Sequence, residues 1–163
     1  MVFLSDNELN SLPYNQIIES YILPRFHQRH REQLAELIVL AEKVERVHAD
    51  RPDAPIGLHA ELQNILADLT SHMMKEEQIL FPMINAGQYQ MAAMPIRVMN
   101  MEHEEHADHI EVLKSLTNNM TPPADACGSW QALYNGVAEF INDLNNHIHT
   151  EDDILFQRVL KET

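Results

Sequence analysis

The sequence has 163 residues, enough for one domain with a sizeable core, and 45% of them are apolar. Its formal net charge of −14 argues against a nucleic-acid partner, because phosphate binding relies on lysine and arginine. A single cysteine, Cys127, excludes an internal disulfide and any CxxC motif. No apolar run is long enough to span a membrane and the first residues do not resemble a signal peptide, so we expect a cytoplasmic protein.

The helical spacing of apolar residues predicts an all-α protein. Residues 1–13 are expected to form an N-terminal arm, either loose or folded as a short cap. Four amphipathic helices follow, over residues 14–47, 58–85, 92–118 and 129–161. Long helices joined by short polar loops predict an up-down-up-down four-helix bundle over residues 14–163. Pro24 should kink the first helix or mark its start, and the inward stripe of the second should continue to Ile79 and Met83.

A repeated motif marks the second and fourth helices. His72 and Glu76 recur 75 residues later as His147 and Glu151, and each pair leads into an Ile-Leu-Phe tail. Four residues on an α-helix are about 400° of turn and about 6 Å of rise, so both side chains of a pair share one stripe. Two matched stripes predict paired metal ligands; the alternative is ordinary polar pairs on a solvated helix face.

The bundle topology places two more histidines level with this motif. Counted from the end where the first helix begins, His27 lies 13 residues in and His103 lies 11 residues in. The residues of the repeated pairs lie 9 to 14 residues from the same end. At about 1.5 Å per residue, all six fall within a slab about 8 Å thick. The expected ligands are therefore His27, His72, Glu76, His103, His147 and Glu151.

Four imidazoles and two carboxylates in a bundle core predict a dinuclear iron site. Imidazole suits iron, carboxylates suit hard ferric ions, and two glutamates can bridge a metal pair, with or without an additional oxo or hydroxo bridge. Left unpaired in an apolar core, each of these groups would cost several kcal/mol. A metal therefore accounts for their presence.

Other polar residues are candidates for supporting roles. Asp68 and Asp143 each precede a ligand histidine by four residues and could orient an imidazole or relay protons. Glu102 adjoins His103, and His106, one turn further on, is a candidate spare ligand. We otherwise expect His106 to face solvent, as we do for His30, His59, His109 and His149.

His48 keeps the heptad register of His27 and so should face the same seam. An unbroken helix of 21 residues nevertheless puts it about 31 Å away. We expect it to have a structural role or to belong to a second site.

Several stretches resemble one known family. They are RFHQRHREQL from Arg25, KVERVHAD from Lys43, SHMMKEEQILFPM from Ser71, MEHE from Met101, TNNMTPP from Thr117 and the second His-x3-Glu pair. They are similar to the hemerythrin-like domain of the di-iron iron–sulfur cluster repair proteins, the RIC or YtfE family, over about residues 14–160. The resemblance implies a non-haem di-iron centre, induction under nitric oxide and oxidative stress, and restoration of damaged clusters. By position it implies the same six ligands.

Three departures from related proteins affect the expected function. Full-length repair proteins carry an N-terminal domain with a vicinal cysteine pair, which this sequence lacks. Asp68 stands where family members often carry glutamate. Oxygen-carrying hemerythrins supply two ligand histidines from the third helix, whereas Ala107 stands four residues after His103 here. One fewer ligand predicts an open position for nitric oxide, oxygen or water.

Our leading hypothesis is a monomer or homodimer that donates iron held by bridging Glu76 and Glu151 to damaged or apo iron–sulfur proteins. A nitric oxide or oxygen sensor or store, and a nitric oxide reductase, are the alternatives. A ferritin-like oxidase is disfavoured because only Glu45 and His48 have the Glu-x2-His spacing. Zinc hydrolysis is disfavoured because the pair His103 and His106 lacks the His-Glu-x2-His spacing.

Overall fold

The computed structural model describes residues 2–163, which are almost entirely helical and contain no β-strand. A short helix, α1 (Asp6–Ser11), precedes four long ones. These are α2 (14–47), α3 (58–85), α4 (Tyr89–Leu116) and α5 (128–161). The predicted all-α bundle is confirmed, and each long helix begins and ends within three residues of its expected bounds.

The four long helices pack as sequential neighbours. Helix α2 lies against α3 and α5, and α4 lies against α3 and α5. The connections, residues 48–57, 86–88 and 117–127, are short, so each helix runs antiparallel to the one before it. None of the helices in residues 2–163 is long and apolar enough to cross a membrane.

Three long helices contain π-helical stretches, Ile17–Gln28 in α2, Glu76–Leu80 in α3 and Thr150–Leu155 in α5. The two shorter stretches coincide with the repeated motif. The backbone N–H of Phe81 donates to the carbonyl of Glu76, and that of Phe156 donates to the carbonyl of Glu151. Because π turns are rare and are frequently found at functional sites, their position next to both glutamates is informative.

The π turn changes which side chains point inward. Leu80 and Phe81 are buried, whereas Ile79 is 49% exposed and Met83 is only partly buried. The prediction that Ile79 faces the core was wrong, because it carried α-helical periodicity through a turn that contains an extra residue. Pro24 likewise does not start α2. It lies inside a π-helical stretch, where the bonding already departs from the α-helical pattern.

The apolar core is divided into two clusters. One, which includes Leu34, Leu69, Trp130 and Phe140, fills the end of the bundle near the 48–57 and 117–127 loops. The other, which includes Ile22, Phe26, Phe81, Ile96 and Phe156, fills the opposite end. In every long helix the predicted ligands lie between residues of the two clusters. The predicted ligands therefore form a polar layer between two apolar clusters.

The N-terminal arm is a docked helix rather than a loose segment. Ser5 and Glu8 form a capping box, and Leu9 is buried. Arg158 of α5 donates from Nη1 to the carbonyl oxygens of Leu9 and Leu12, each at 2.9 Å. The segment thus closes the end of the bundle that holds the second apolar cluster.

Candidate metal centre

All six predicted ligands meet in one buried layer. His27, His72, Glu76 and Glu151 are 0% exposed, His147 is 1% exposed and His103 is 3% exposed. The structure therefore brings together every residue that the sequence placed at this height.

The carboxylates face the Nε2 atoms of the four histidines. Glu76 Oε1 lies 3.2 Å from His27 Nε2 and 3.4 Å from His72 Nε2. Glu151 Oε1 lies 3.1 Å from His103 Nε2, while its Oε2 lies 2.9 Å from His147 Nε2 and 3.9 Å from His27 Nε2. Glu151 thus offers one oxygen to each pair of histidines, as a bridging carboxylate does.

Two overlapping groups of ligand atoms result. One consists of His27, His147, Glu76 and Glu151, and the other of His72, His103 and the same two glutamates. Within each group the ligand atoms lie within 4.8 Å of one another. Two compact groups that share both carboxylates are suited to a pair of adjacent metal ions.

Every one of these histidines has a partner on its outer nitrogen. His27 Nδ1 lies 2.6 Å from Glu77 Oε2, and His103 Nδ1 lies 2.6 Å from Asp152 Oδ1. His72 Nδ1 lies 3.1 Å from Glu102 Oε1, a carboxylate that Lys75 also binds at 2.7 Å. Such partners fix the ring orientation and tautomer, and they leave Nε2 free to bind metal.

Glu77 and Asp152 were not predicted as partners, although the sequence contains the signal. Each directly follows one of the two glutamates of the layer, so the repeated motif reads His-x3-Glu-acidic. In both copies the second acidic residue binds the outer nitrogen of a histidine on a neighbouring helix. Each copy of the motif therefore supplies a candidate shared ligand and also a partner for a candidate ligand on a neighbouring helix.

The prediction that His30 and His106 face solvent was wrong, because both are buried. His30 Nε2 lies 3.0 Å from His147 Nδ1 and so serves as the outer partner of that ligand. His106 packs against His72, with ring centroids 4.7 Å apart. One nitrogen each of His72, His103 and His106 forms a third compact group. His106 follows His103 by three residues, a spacing that keeps both histidines of α4 on the inner face of the helix.

The two aspartates expected to support ligands have other partners. Asp143 is buried and accepts from Arg25 at 2.9 Å and from Gln33 at 2.8 Å. Asp68 is exposed and lies 2.8 Å from His109 Nε2. Neither binds His72 or His147, because Glu102 and His30 already occupy those outer nitrogens. Both aspartate assignments to a ligand imidazole were therefore wrong, whereas Glu102 does contact His72.

His48 lies outside the ligand layer, at the far end of α2. Its Nε2 is 3.3 Å from Cys127 Sγ, and its ring packs against Trp130 with centroids 4.7 Å apart. These contacts tie the 48–57 loop to the start of α5.

The carboxylates also favour the protonated forms of His27 and His103. Burial disfavours the charged form of His103, but the nearby carboxylates of Asp152 and Glu151 outweigh burial and raise its pKa to about 10. Similarly, burial opposes charge on His27, yet its carboxylate neighbours raise the pKa well above the usual value. For His106, burial and the nearby His72 and His103 lower the pKa to about 2. His106 therefore offers a neutral imidazole at neutral pH.

A metal suits this layer because several of its atoms have no other partner. Among residues 2–163, both carboxylate oxygens of Glu76, Glu151 Oε1, His27 Nε2 and His106 Nδ1 are buried without a hydrogen bond. Buried acceptors of this kind are costly unless they bind a cation. The donor set of imidazoles and carboxylates matches a transition metal such as iron.

A surface cavity of about 530 Å³ reaches one side of the layer. It is lined by Leu23, Pro24, His27, Arg31 and Glu77, among others. Arg31 donates to Glu77 at 2.8 Å, so the same carboxylate that orients His27 is held at the cavity wall. The His27 side of the centre is therefore close to solvent.

A model of the hemerythrin HHE cation binding domain matches residues 19–159, which include all six residues. The chain belongs to the hemerythrin HHE family. Curated relatives narrow this assignment. The chain is 62% identical to a probable iron–sulfur cluster repair protein of Haemophilus influenzae over 158 residues, covering 97% of this chain and 70% of the relative. It is 57% identical to the iron–sulfur cluster repair protein YtfE of Musicola paradisiaca, covering 96% of this chain and 70% of that protein.

A third relative, the iron–sulfur cluster repair protein YtfE of Yersinia pseudotuberculosis, is 53% identical and is covered over 71% of its length. The resemblance noted in the sequence is thereby confirmed.

Proposed function

We propose that this hemerythrin-like protein binds a pair of non-haem iron ions and supplies iron to damaged or apo iron–sulfur proteins. The observation that carries the proposal is the pair of four-residue groups that share Glu76 and Glu151. The names of the relatives, all iron–sulfur cluster repair proteins, support the choice of recipient.

The residues of the layer would divide the work of holding iron. His27 and His147 would bind one ion, and His72 and His103 the other, through Nε2 atoms that already point at the carboxylates. Glu76 and Glu151 would be shared by both ions. Bound ferrous iron would be the cargo for cluster assembly. Because both carboxylates would be shared, a shift of either one would weaken the binding of iron in the layer.

The outer partners would keep the ligands in place between loading and release. Glu77, Glu102, Asp152 and His30 hold the four rings from outside, so the ligand geometry would survive the loss of a metal. The two apolar clusters would keep water from reaching the layer along the axis of the bundle. Iron exchange would then use a side of the bundle, and the cavity beside His27 is a suitable route.

A gas-binding role is the second candidate, and one observation favours it. The His27 group contains four protein ligands, which leaves open positions on a non-haem iron. A nitric oxide or oxygen molecule could bind there without displacing a residue.

The deciding experiment is anaerobic iron transfer to an apo-ferredoxin in the presence of cysteine and sulfide. We expect the ferrous-loaded protein to drive cluster assembly and the Glu76→Leu/Glu151→Leu double variant to fail. Exposed Glu104 gives the control, so Glu104→Leu should transfer iron normally. Circular dichroism would check that each variant keeps its helices. Iron that stays bound while nitric oxide binds reversibly would overturn the donor role in favour of gas binding.

A further inference from the structure

In both α2 and α4, a second histidine follows the candidate ligand at the same spacing. In α2, His30 follows the ligand His27 by three residues; in α4, His106 follows the ligand His103 by three residues. Both are buried. The two extra imidazoles nevertheless have different neighbours, and this difference bears on how each metal is held.

His30 is an outer partner through one of its two nitrogens. Its Nε2 lies 3.0 Å from Nδ1 of His147, the ligand from α5. His147 Nε2 lies 2.9 Å from Glu151 Oε2, so His30 contacts the outer side of that ring. The other nitrogen of His30, Nδ1, is buried without a hydrogen bond to any residue that the structure describes, but it belongs to none of the three ligand groups.

His106 does not support another histidine in this way. The outer nitrogen of His72 is bound by Glu102 and that of His103 by Asp152, so neither ring needs another support. Within the described chain, His106 Nδ1 is buried without a hydrogen-bond partner. A buried imidazole nitrogen in this state costs free energy unless something binds it.

The position of His106 fits a metal ligand. Nitrogens of His106, His72 and His103, one from each ring, lie within 4.8 Å of one another. The Nε2 atoms of His72 and His103 are 3.0 Å apart. Nitrogens that bind one metal at about 2.1 Å lie at most about 4.2 Å apart. A small rotation of side chains would therefore place all three imidazoles on one ion.

We propose that His106 is a seventh ligand, which gives the ion between α3 and α4 three imidazoles and leaves the ion between α2 and α5 with two. The inference rests on the proposed iron pair. The two ions are then inequivalent: the His72 ion is retained, and the His27 ion, which is next to the surface cavity, leaves first. The missing histidine at Ala107 is thus compensated by one at a different spacing.

The test is the release of two ferrous ions to an excess of chelator under anaerobic conditions, followed by stopped-flow absorbance. The wild-type protein should release iron in two phases of equal amplitude. His106→Gln should accelerate the slow phase at least about tenfold and leave the fast phase unchanged. His109→Gln, one turn further along α4 and outside all three ligand groups, should behave as wild type.

A second measurement does not depend on a variant. In the cobalt(II)-loaded wild-type protein, proton NMR should show five strongly shifted imidazole N–H signals if His106 binds, and four if it does not.

The outcomes separate the two proposals. No binding of two metal ions by the wild-type protein would end the proposed iron pair itself. Two bound ions with four shifted signals and an unchanged slow phase in His106→Gln would leave the iron pair intact and overturn the role of His106.

Discussion

Replacing Asp152 with asparagine should weaken metal binding without removing a ligand. Asp152 Oδ1 lies 2.6 Å from His103 Nδ1, and the carboxylate makes His103 Nε2 a stronger donor while holding the ring in place. Loss of an outer partner typically lowers metal affinity by about 10- to 100-fold, or about 1.4–2.7 kcal/mol. Because Asp152 supports a ligand of only one group, the effect should fall on one of the two ions.

The assay is a competition between the protein and a coloured chelator for cobalt(II) or ferrous iron, with the stoichiometry measured by elemental analysis. Asp153→Asn is a matched control. Asp153 is the next residue and also binds a histidine, His149, at 2.7 Å, but that histidine is in none of the ligand groups. Equal affinities for the two variants, or a loss in both ions for Asp152→Asn, would refute the argument.

Two further predictions concern stability. Asp143→Ala should lower the free energy of unfolding by about 3–5 kcal/mol, because it leaves buried Arg25 without its carboxylate. The control Glu139→Ala breaks an exposed pair with Arg29 and should lower the free energy of unfolding by less than about 1 kcal/mol. Thermal unfolding measures both variants. Burial lowers the pKa of His109, but Glu61 and Asp68 outweigh it and raise the pKa above 6.5. The stabilisation from that contact should be complete below pH 6.5 and be lost as the pH rises through the raised pKa. An NMR titration in which Glu61→Gln leaves the His109 pKa unchanged would contradict this.

Much of the fold and the candidate centre could be predicted because the relevant information is local and periodic. Apolar spacing specifies the four helices, and short loops leave little choice of topology. Counting residues from one end of the bundle placed six candidate ligands from four helices in one layer, because α-helical rise is nearly constant. The π turns slightly change the rise per residue, but all six candidate ligands still lie in the layer.

Side-chain partners between helices were harder to predict. Asp68 and Asp143 lie one turn from ligand histidines in sequence, yet their partners are His109 and Arg25. Which residue reaches an outer nitrogen depends on how the neighbouring helix is rotated, and periodicity along one helix does not determine that rotation. Glu77 and Asp152 reach histidines of other helices for the same reason.

By itself, then, the sequence predicted the bundle and the layer in which the six candidate ligands meet, since both follow from residue spacing along regular helices. Only the tertiary structure decided the environment of each ligand. In that structure a π turn places Ile79 on the surface, and His30 contacts His147. His106 lies beside His72, and its Nδ1 has no hydrogen-bond partner in residues 2–163. The physical reason is that these outcomes depend on distances between helices, which are set by packing across the whole core.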